Sequence, residues 1–197
     1  MRVIVWGINY APEITGIAPH NVALCEFLQR RGHDVEMVTT FSYYPAWRKR
    51  AEDRRRFFRT DRINGVQVHR CWHFVPGRVS AWKRIVHEAT FVLTSTMRIL
   101  LLRRPDVYVV VSPPLLLGAA GWVVATLKRA PFIFHVQDLC KICNRTRRLV
   151  WACCEQVCLR ALCIGSKRLL TNTPHASPGS AGKLSMYFVA KACRTAG

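Results

Sequence analysis

The sequence has few acidic side chains. Its 197 residues include 11 Asp and Glu against 30 Lys and Arg, which gives a formal net charge of +19. This excess of positive charge favours anionic partners such as phosphates, acidic lipid headgroups or nucleic acid. The scarcity is uneven, because residues 1–139 carry 10 acids with 20 bases, whereas residues 140–197 carry the single acid Glu155 with 10 bases. We therefore expect the chain to change character near residue 139.

Cysteine is rare before that position and frequent after it. Only Cys25 and Cys71 precede residue 139, and seven cysteines follow, at positions 140, 143, 153, 154, 158, 163 and 193. The amino terminus lacks the apolar run and the cleavage site of a signal peptide, so we expect a cytoplasmic protein without a secreted disulfide framework. Cys140 and Cys143 lack a second pair with the same two-residue gap, and we therefore predict no metal site.

Signature motifs of several function classes are also missing. No G-x-G-x-x-G follows the first apolar run, which weakens a dinucleotide site. No helix-turn-helix, RNP-type or finger motif accompanies the basic residues, so we predict no specific nucleic-acid partner. Residues 107–127 are uncharged and long enough to span a membrane, but the Pro113-Pro114 pair inside them instead predicts a strand, a break and a separate helix.

The chain has enough apolar residues, 50% of the total with 21% charged, to form a folded core. Short apolar runs predict strands over residues 2–6, 35–40, 66–72, 106–111 and 132–136, and helical spacing predicts helices over residues 17–31, 82–102 and 115–128. This alternation predicts an α/β fold with a Rossmann-like, doubly wound parallel sheet over residues 1–139, with ligands at the carboxyl ends of the strands. Residues 140–197 have no such period, and we expect a poorly ordered, Cys-rich basic tail.

Two segments lie where such a sheet binds ligands. The loop of residues 7–16 leaves the first strand and enters the first helix, so its backbone N–H groups predict an anion site, although an ordinary connection fits equally well. His135 and Asp138 lie at the carboxyl end of the last predicted strand and would face the same crevice, unless His135 is a structural histidine. His69, His73 and His87 are expected to be surface or packing residues.

A basic and aromatic stretch occupies residues 43–62. Its cations and aromatic rings would suit an anionic membrane surface, a nucleic acid, or simply a solvated charged loop. We single out as membrane or anion contacts Trp47, Arg48, Lys49, Arg50, Arg54, Arg55 and Arg56.

Six motifs in residues 1–139 resemble those of GT-B glycosyltransferases of family 4, of the kind involved in colanic acid synthesis. They occupy residues 2–16, 31–39, 43–47, 105–107, 112–114 and 135–138. The resemblance implies a retaining enzyme with two Rossmann-like domains, a nucleotide-sugar donor, an acceptor that is commonly lipid-linked on the inner membrane, and no metal or other cofactor. It implies that Thr15 and Gly16 approach the donor, that His135 lies beside the reacting centre, and that Asp138 follows it into the cleft.

The family also implies a second domain that the 197 residues do not contain. We therefore interpret residues 1–139 as an incomplete, acceptor-side GT-B domain that is inactive alone, because one wall of a cleft cannot surround the transition state. The alternative is a non-catalytic basic module that binds an anionic membrane surface or a partner protein.

Residues 140–197 have two open interpretations, out-of-frame translation or a genuine tail. The codons for residues 150–154, read from the third base, give Leu/Met/Val, Gly, Leu/Met/Val, Leu for every codon choice. Relatives carry a similar Leu-Gly-Leu-Leu stretch after His-Val-Gln-Asp. A frameshift would account for both the added cysteines and the missing acids.

Overall fold

A mixed β-sheet forms the centre of the protein. The computed structural model describes residues 1–78, 80–136 and 186–190. The strands in these ranges are β1 (Arg2–Trp6), β2 (Asp34–Thr40), β3 (Phe58–Ile63), β4 (Val66–Cys71), β5 (Val107–Val111), β6 (Phe132–Val136) and β7 (Met186–Ala190). They lie in the order β3-β4-β2-β1-β5-β6-β7. The five strands from β4 to β6 are parallel, and β3 and β7 pair antiparallel at the two edges.

Three helices cover the two faces of the sheet. They are α1 (Ala18–Arg30), α2 (Ala81–Leu101) and α3 (Leu116–Leu127). Helix α1 packs on one face through Cys25, beside Val5 and Met37 of the sheet. Helices α2 and α3 pack on the opposite face, where Phe91 and Leu117 contact a second core around Trp6. The predicted α/β doubly wound architecture is confirmed.

Helix α3 lies very close to the sheet because its inner side carries glycine. A Cβ atom at Gly121 would lie 2.8 Å from Val110 Cγ2, and one at Gly118 would lie 2.8 Å from the ring of Phe134. Helix α2 is joined to the sheet by a side-chain bond, since Trp6 Nε1 donates to Ser95 Oγ at 3.0 Å.

The edge strand β3 was not predicted. Its sequence, Phe-Arg-Thr-Asp-Arg-Ile, lies inside the basic stretch and has few of the apolar residues that mark a strand. Charged side chains are tolerated because an edge strand is half solvated. Asn64 and Gly65, both at positive φ, form the turn between β3 and β4, as the Asn-Gly pair predicts.

Strand β7 comes from the segment that we expected to be a poorly ordered tail. Its backbone pairs with β6, with Met186 opposite Val136 and Ala190 opposite Phe132. The open edge of β6 offers unpaired N–H and C=O groups that an extended apolar segment can satisfy. The rest of that tail, with its seven cysteines, lies outside the described residues, as does Asp138 before it.

The uncharged stretch of residues 107–127 forms β5 and the 12-residue helix α3, as the Pro113-Pro114 pair predicts. Among the described helices, none combines the length and the apolar character needed to cross a bilayer.

Candidate functional site

The candidate site is the rim where the parallel strands end. The loop of residues 7–17 follows β1 there, and the loops of residues 41–57 and 72–78 follow β2 and β4. His135 lies near the end of β6, opposite Val111 of β5. Because these strands are parallel, the loops and His135 share one edge of the sheet.

The loop after β1 is fixed by many hydrogen bonds. Gly7 N donates to Val38 O at 3.1 Å, and Thr39 Oγ1 donates to Ile8 O at 3.0 Å. Asn21 Nδ2, from α1, donates to Asn9 O at 2.8 Å. These contacts hold the backbone of the loop in one path from the sheet to α1.

Glu13 is the least expected part of this loop. Only 7% of the residue is exposed, and its carboxylate lies beneath the rim. Glu13 Oε1 accepts hydrogen bonds from the backbone N–H groups of Tyr43 at 2.8 Å and Tyr44 at 2.9 Å, while Oε2 accepts from Asn9 Nδ2 at 2.6 Å. The carboxylate therefore joins the loop after β1 to the loop after β2.

A buried arginine supports the same loop from β4. Arg70 is 2% exposed and donates to the carbonyl oxygens of Ala11 and Thr40, as well as to Asp61 Oδ2 at 2.7 Å. Asp61 also pairs with Arg59, whose guanidinium bonds the buried Asp53. Arg59, from the basic stretch of residues 43–62, and Arg70, from outside it, therefore stabilise the fold through buried ion pairs.

Thr15 and Gly16 lie at the exposed end of the loop. Gly16 has φ +66°, a left-handed conformation that favours glycine. Helix α1 begins two residues later. Its N-cap residue, Ile17, makes no side-chain hydrogen bond to the first turn of the helix. The positive end of the α1 dipole therefore faces the rim, next to Gly16.

His135 is half-buried on the same side of the sheet. Burial lowers its pKa below the usual value of 6.5, and His20 in the first turn of α1 lowers it further. The structure thus places His135 and the amino end of α1 near each other at the rim. With a lowered pKa, the imidazole of His135 is neutral at pH 7.

The basic and aromatic stretch forms an open pocket beside the rim. The pocket has a volume of about 590 Å³, and its lining includes Trp47, Arg48, Lys49, Arg54 and Trp72. Arg55 and Arg56 are exposed next to it, and Arg50 lies 3.9 Å from Glu52 in a surface ion pair. Of the seven predicted contact residues, four therefore line one cavity.

Lys49 is the least solvated cation of this pocket. Its ammonium lies 4.6 Å above the ring of Trp72 and donates to the carbonyl oxygen of His73. Burial lowers the pKa of Lys49 to about 8. An anion in the pocket would compensate the cost of burying this charge.

A cluster of buried aromatic and imidazole rings lies beside the pocket and was not predicted from the sequence. His73 and His87 are 0% and 2% exposed, and their ring centroids are 5.0 Å apart. Tyr43 packs against both of them, with ring centroids 4.9 Å from His73 and 4.7 Å from His87. Burial lowers the pKa of both histidines. The prediction of packing residues is correct for His73, for His87 and for His69, which bonds Glu36 at 3.2 Å.

Metal-binding chemistry has little support in the part of the chain that the structure describes. No group of three or more His, Cys, Asp or Glu side chains there could hold a metal ion. Cys25 and Cys71 are buried and unpaired by disulfides. Burial raises the pKa of each to about 12, so both are inert thiols at pH 7.

Comparisons with known proteins agree with this architecture. Residues 15–176 match the family described as "Glycosyl transferase 4-like domain", so the match continues beyond residue 139. The chain belongs to this glycosyltransferase family.

Individual relatives are similar over part of their length. The chain is 34% identical, over 141 residues, to the putative colanic acid biosynthesis glycosyl transferase WcaI of Escherichia coli (strain K12). The matched part is 70% of this chain but 34% of the relative, so the chain spans about a third of that protein. A solved structure, the catalytic domain of starch synthase IV from Arabidopsis thaliana bound to ADP and acarbose, is 18% identical with a TM-score of 0.44, over 64% of this chain and 29% of the other.

Proposed function

We propose that this chain is the acceptor-side part of a retaining glycosyltransferase of exopolysaccharide synthesis. The complete enzyme transfers a sugar from a nucleotide-diphosphate donor to an acceptor carried by a lipid at the cytoplasmic face of the inner membrane, without a cofactor. The observation that supports this proposal is that His135, at the end of β6, and the loop after β1 lie at the same edge of the parallel sheet. The family match supports the reaction class.

The donor approaches the rim at the loop after β1. Thr15 and Gly16 offer an exposed backbone with no bulky side chain at residue 16, and the α1 dipole favours the negative charge of a donor phosphate. Glu13 and Arg70 keep that backbone fixed before the donor arrives, which removes reorganisation from the reaction. We also include Asp138 in this proposed site, as the family resemblance implies, although it lies outside the described residues.

His135 acts as a neutral hydrogen-bonding group. Its lowered pKa keeps the imidazole mainly uncharged at pH 7, so it would act on a bound sugar through hydrogen bonding rather than through its charge. A group of this kind orients the sugar and stabilises charge that develops during transfer.

The acceptor occupies the pocket formed by the basic and aromatic stretch. Arg48, Lys49 and Arg54 supply positive charge for a phosphate of the lipid carrier, and the Trp47 and Trp72 rings lie beside them for a sugar face. The exposed Arg50, Arg55 and Arg56 would meet the anionic headgroups around that acceptor.

In this proposal the second wall of the cleft is formed by a second domain, which the family resemblance implies and which residues 1–139 do not contain. We propose that residues 1–139 form an incomplete domain and that the 197-residue chain transfers no sugar alone, because donor phosphates need groups on both sides. The competing function is a non-catalytic basic module at an anionic membrane or on a partner protein.

Transfer in a completed enzyme is the decisive experiment. Residues 1–139 joined to the remaining domain of the enzyme should move labelled sugar from a nucleotide sugar to a membrane extract. His135→Ala should lower kcat at least about a hundredfold while stability changes little, whereas His33→Ala, on the opposite edge of the sheet, should leave the rate unchanged. An unaltered rate in His135→Ala would remove His135 from the site. Vesicle binding without transfer by the completed protein would favour the non-catalytic module.

A further inference from the structure

Helices α2 and α3 turn large apolar side chains toward solvent. Trp82, Leu93 and Leu101 of α2 are 70%, 64% and 75% exposed, and Trp122 and Leu127 of α3 are also exposed. Both helices pack on the same face of the sheet. Their outward sides therefore form one surface, which we call the α2–α3 face.

The apolar character of this face follows the helical repeat of α2. Trp82, Ile85, Leu93, Met97 and Leu100 recur at spacings that place them on one side over five turns, all of them exposed. The opposite side of α2 is buried against the sheet through His87, Phe91, Thr94, Ser95 and Ile99. A helix that is apolar on both its inner and outer sides requires a second surface to cover the outer one.

The charges around the α2–α3 face indicate what covers it. Helix α2 carries one acid, Glu88, which pairs with Arg84 at 3.2 Å. Exposed cations lie at both ends of the helix, with Arg78 and Lys83 at the amino end and Arg103 and Arg104 just past the carboxyl end. An anionic surface complements this pattern, whereas a second copy would bring another +19 charge against it.

The amino-terminal half of α2 lies beside the basic pocket. His87, on the buried side of α2, lies 5.5 Å, between ring centroids, from Trp47 of the pocket. The amino end of α2, with Trp82 and Ile85, is therefore adjacent to the exposed cations of the loop after β2.

We propose that the α2–α3 face docks on an anionic lipid bilayer. Its apolar side chains enter the boundary between headgroups and acyl chains, Trp82 and Trp122 lie at headgroup level, and the flanking cations contact lipid phosphates. This arrangement would hold the pocket at the membrane surface, where a lipid-linked acceptor presents its phosphate.

The docking face rests on the proposed membrane-linked function, but it can be measured without sugar transfer. The full 197-residue chain is mixed with vesicles of phosphatidylcholine alone or of an equimolar mixture with phosphatidylglycerol, and bound protein is recovered by flotation. Leu93→Gln should weaken partitioning into the mixed vesicles about tenfold, because one large apolar side chain no longer leaves water. The matched control is Phe27→Gln, on α1 at the opposite face of the sheet, which should bind as the unaltered chain does.

Tryptophan fluorescence provides a second measurement that does not depend on affinity. Brominated acyl chains in the mixed vesicles should quench the fluorescence of the unaltered chain more than that of Trp82→Phe, because bromine quenches only indoles that enter the bilayer. Circular dichroism checks that each variant remains folded.

Three results would overturn the docking face. The first is equal partitioning of Leu93→Gln and Phe27→Gln, and the second is fluorescence quenching that is the same with and without Trp82. The third is light scattering that shows a dimer which Leu93→Gln dissociates, because this would assign the face to self-association. A protein that docks but never transfers sugar in its completed form would contradict the proposed function alone.

Discussion

The carboxylate of Glu13 accepts a hydrogen bond from the backbone N–H of Tyr43, 30 residues away, at 2.8 Å. It thereby ties the loop that is proposed to meet the donor to the loop that carries the pocket cations. A buried carboxylate that accepts three hydrogen bonds has its polar atoms paired, and the three donors would lose their acceptor without it. Changes at Glu13 should therefore affect both loops together.

Substitution of Glu13 tests this connection. Glu13→Ala leaves the buried N–H of Tyr43 without its acceptor, and we expect the free energy of unfolding to fall by about 2 kcal/mol or more. Urea denaturation followed by circular dichroism measures the change. The matched control is Glu52→Ala, which removes an exposed carboxylate 3.9 Å from Arg50 and should cost less than about 0.5 kcal/mol. Equal effects of the two substitutions would contradict the role of Glu13.

The buried pair His73 and His87 predicts a loss of stability in acid. Burial lowers the pKa of both below 6.5 in the folded state, so below that pH the unfolded chain binds more protons than the folded chain. Stability then decreases as pH falls from 7 toward 5, by at most about 1.4 kcal/mol per pH unit for each histidine. Urea midpoints over this range measure the slope.

Variants separate these two histidines from other titrating groups. His73→Gln should flatten the pH profile of stability, since it removes one of the two protons that the unfolded chain takes up. His33→Gln, outside the cluster, should leave the slope as it is. A profile as steep in His73→Gln as in the unaltered chain would exclude His73 as its source.

The exposed arginines beside the pocket predict salt-sensitive binding to anionic vesicles. Arg55→Gln/Arg56→Gln removes two cations that each contribute about 1 kcal/mol near such a surface, so we expect roughly thirtyfold weaker binding to mixed phosphatidylcholine and phosphatidylglycerol vesicles at low salt. Arg30→Gln/Arg31→Gln, at the carboxyl end of α1, is the charge-matched control and should change binding little.

The dependence on salt distinguishes the arginines from the α2–α3 face. Binding through Arg55 and Arg56 should weaken as salt rises, because the charges are screened. The contribution of apolar side chains to vesicle binding, measured with Leu93→Gln, should persist. Equal retention on neutral and anionic vesicles would refute the electrostatic contribution. Tight, sequence-selective binding to DNA would instead favour a different class of partner.

The centre of the sheet could be predicted from sequence because β1 and β5 are almost continuous apolar runs. β1 and β5 are buried on both faces by helices, so neither needs polar residues in alternation. β3 could not be predicted in this way, because its Arg59 and Asp61 form ion pairs that exist only after Arg70 and Asp53 have been brought beside them.

The site was predicted only where it follows a strand end. His135 is recognisable from its position after an apolar run, and Gly16 from its position before a helix. Glu13, His73 and His87 gave no such signal, because the partners that join them to other loops, Tyr43 for Glu13 and His87 and the two histidines for each other, lie 14 to 44 positions away in sequence.

The change in composition at residue 139 leads to the last prediction. If residues 140–197 arise from a shifted reading frame, the neighbouring frame of the gene should encode the remaining domain, beginning with the Gly and Leu that the codons of residues 150–154 impose. Restoring that frame should produce a longer protein that binds a nucleotide sugar and transfers its sugar, whereas the 197-residue chain should do neither. Sequencing the gene beyond codon 139, followed by a transfer assay on both proteins, measures this.

The family match up to residue 176 makes the test informative, because a genuine tail would leave the neighbouring frame without any recognisable domain. That result, or sugar transfer by the 197-residue chain alone, would show that the tail is read in its proper frame.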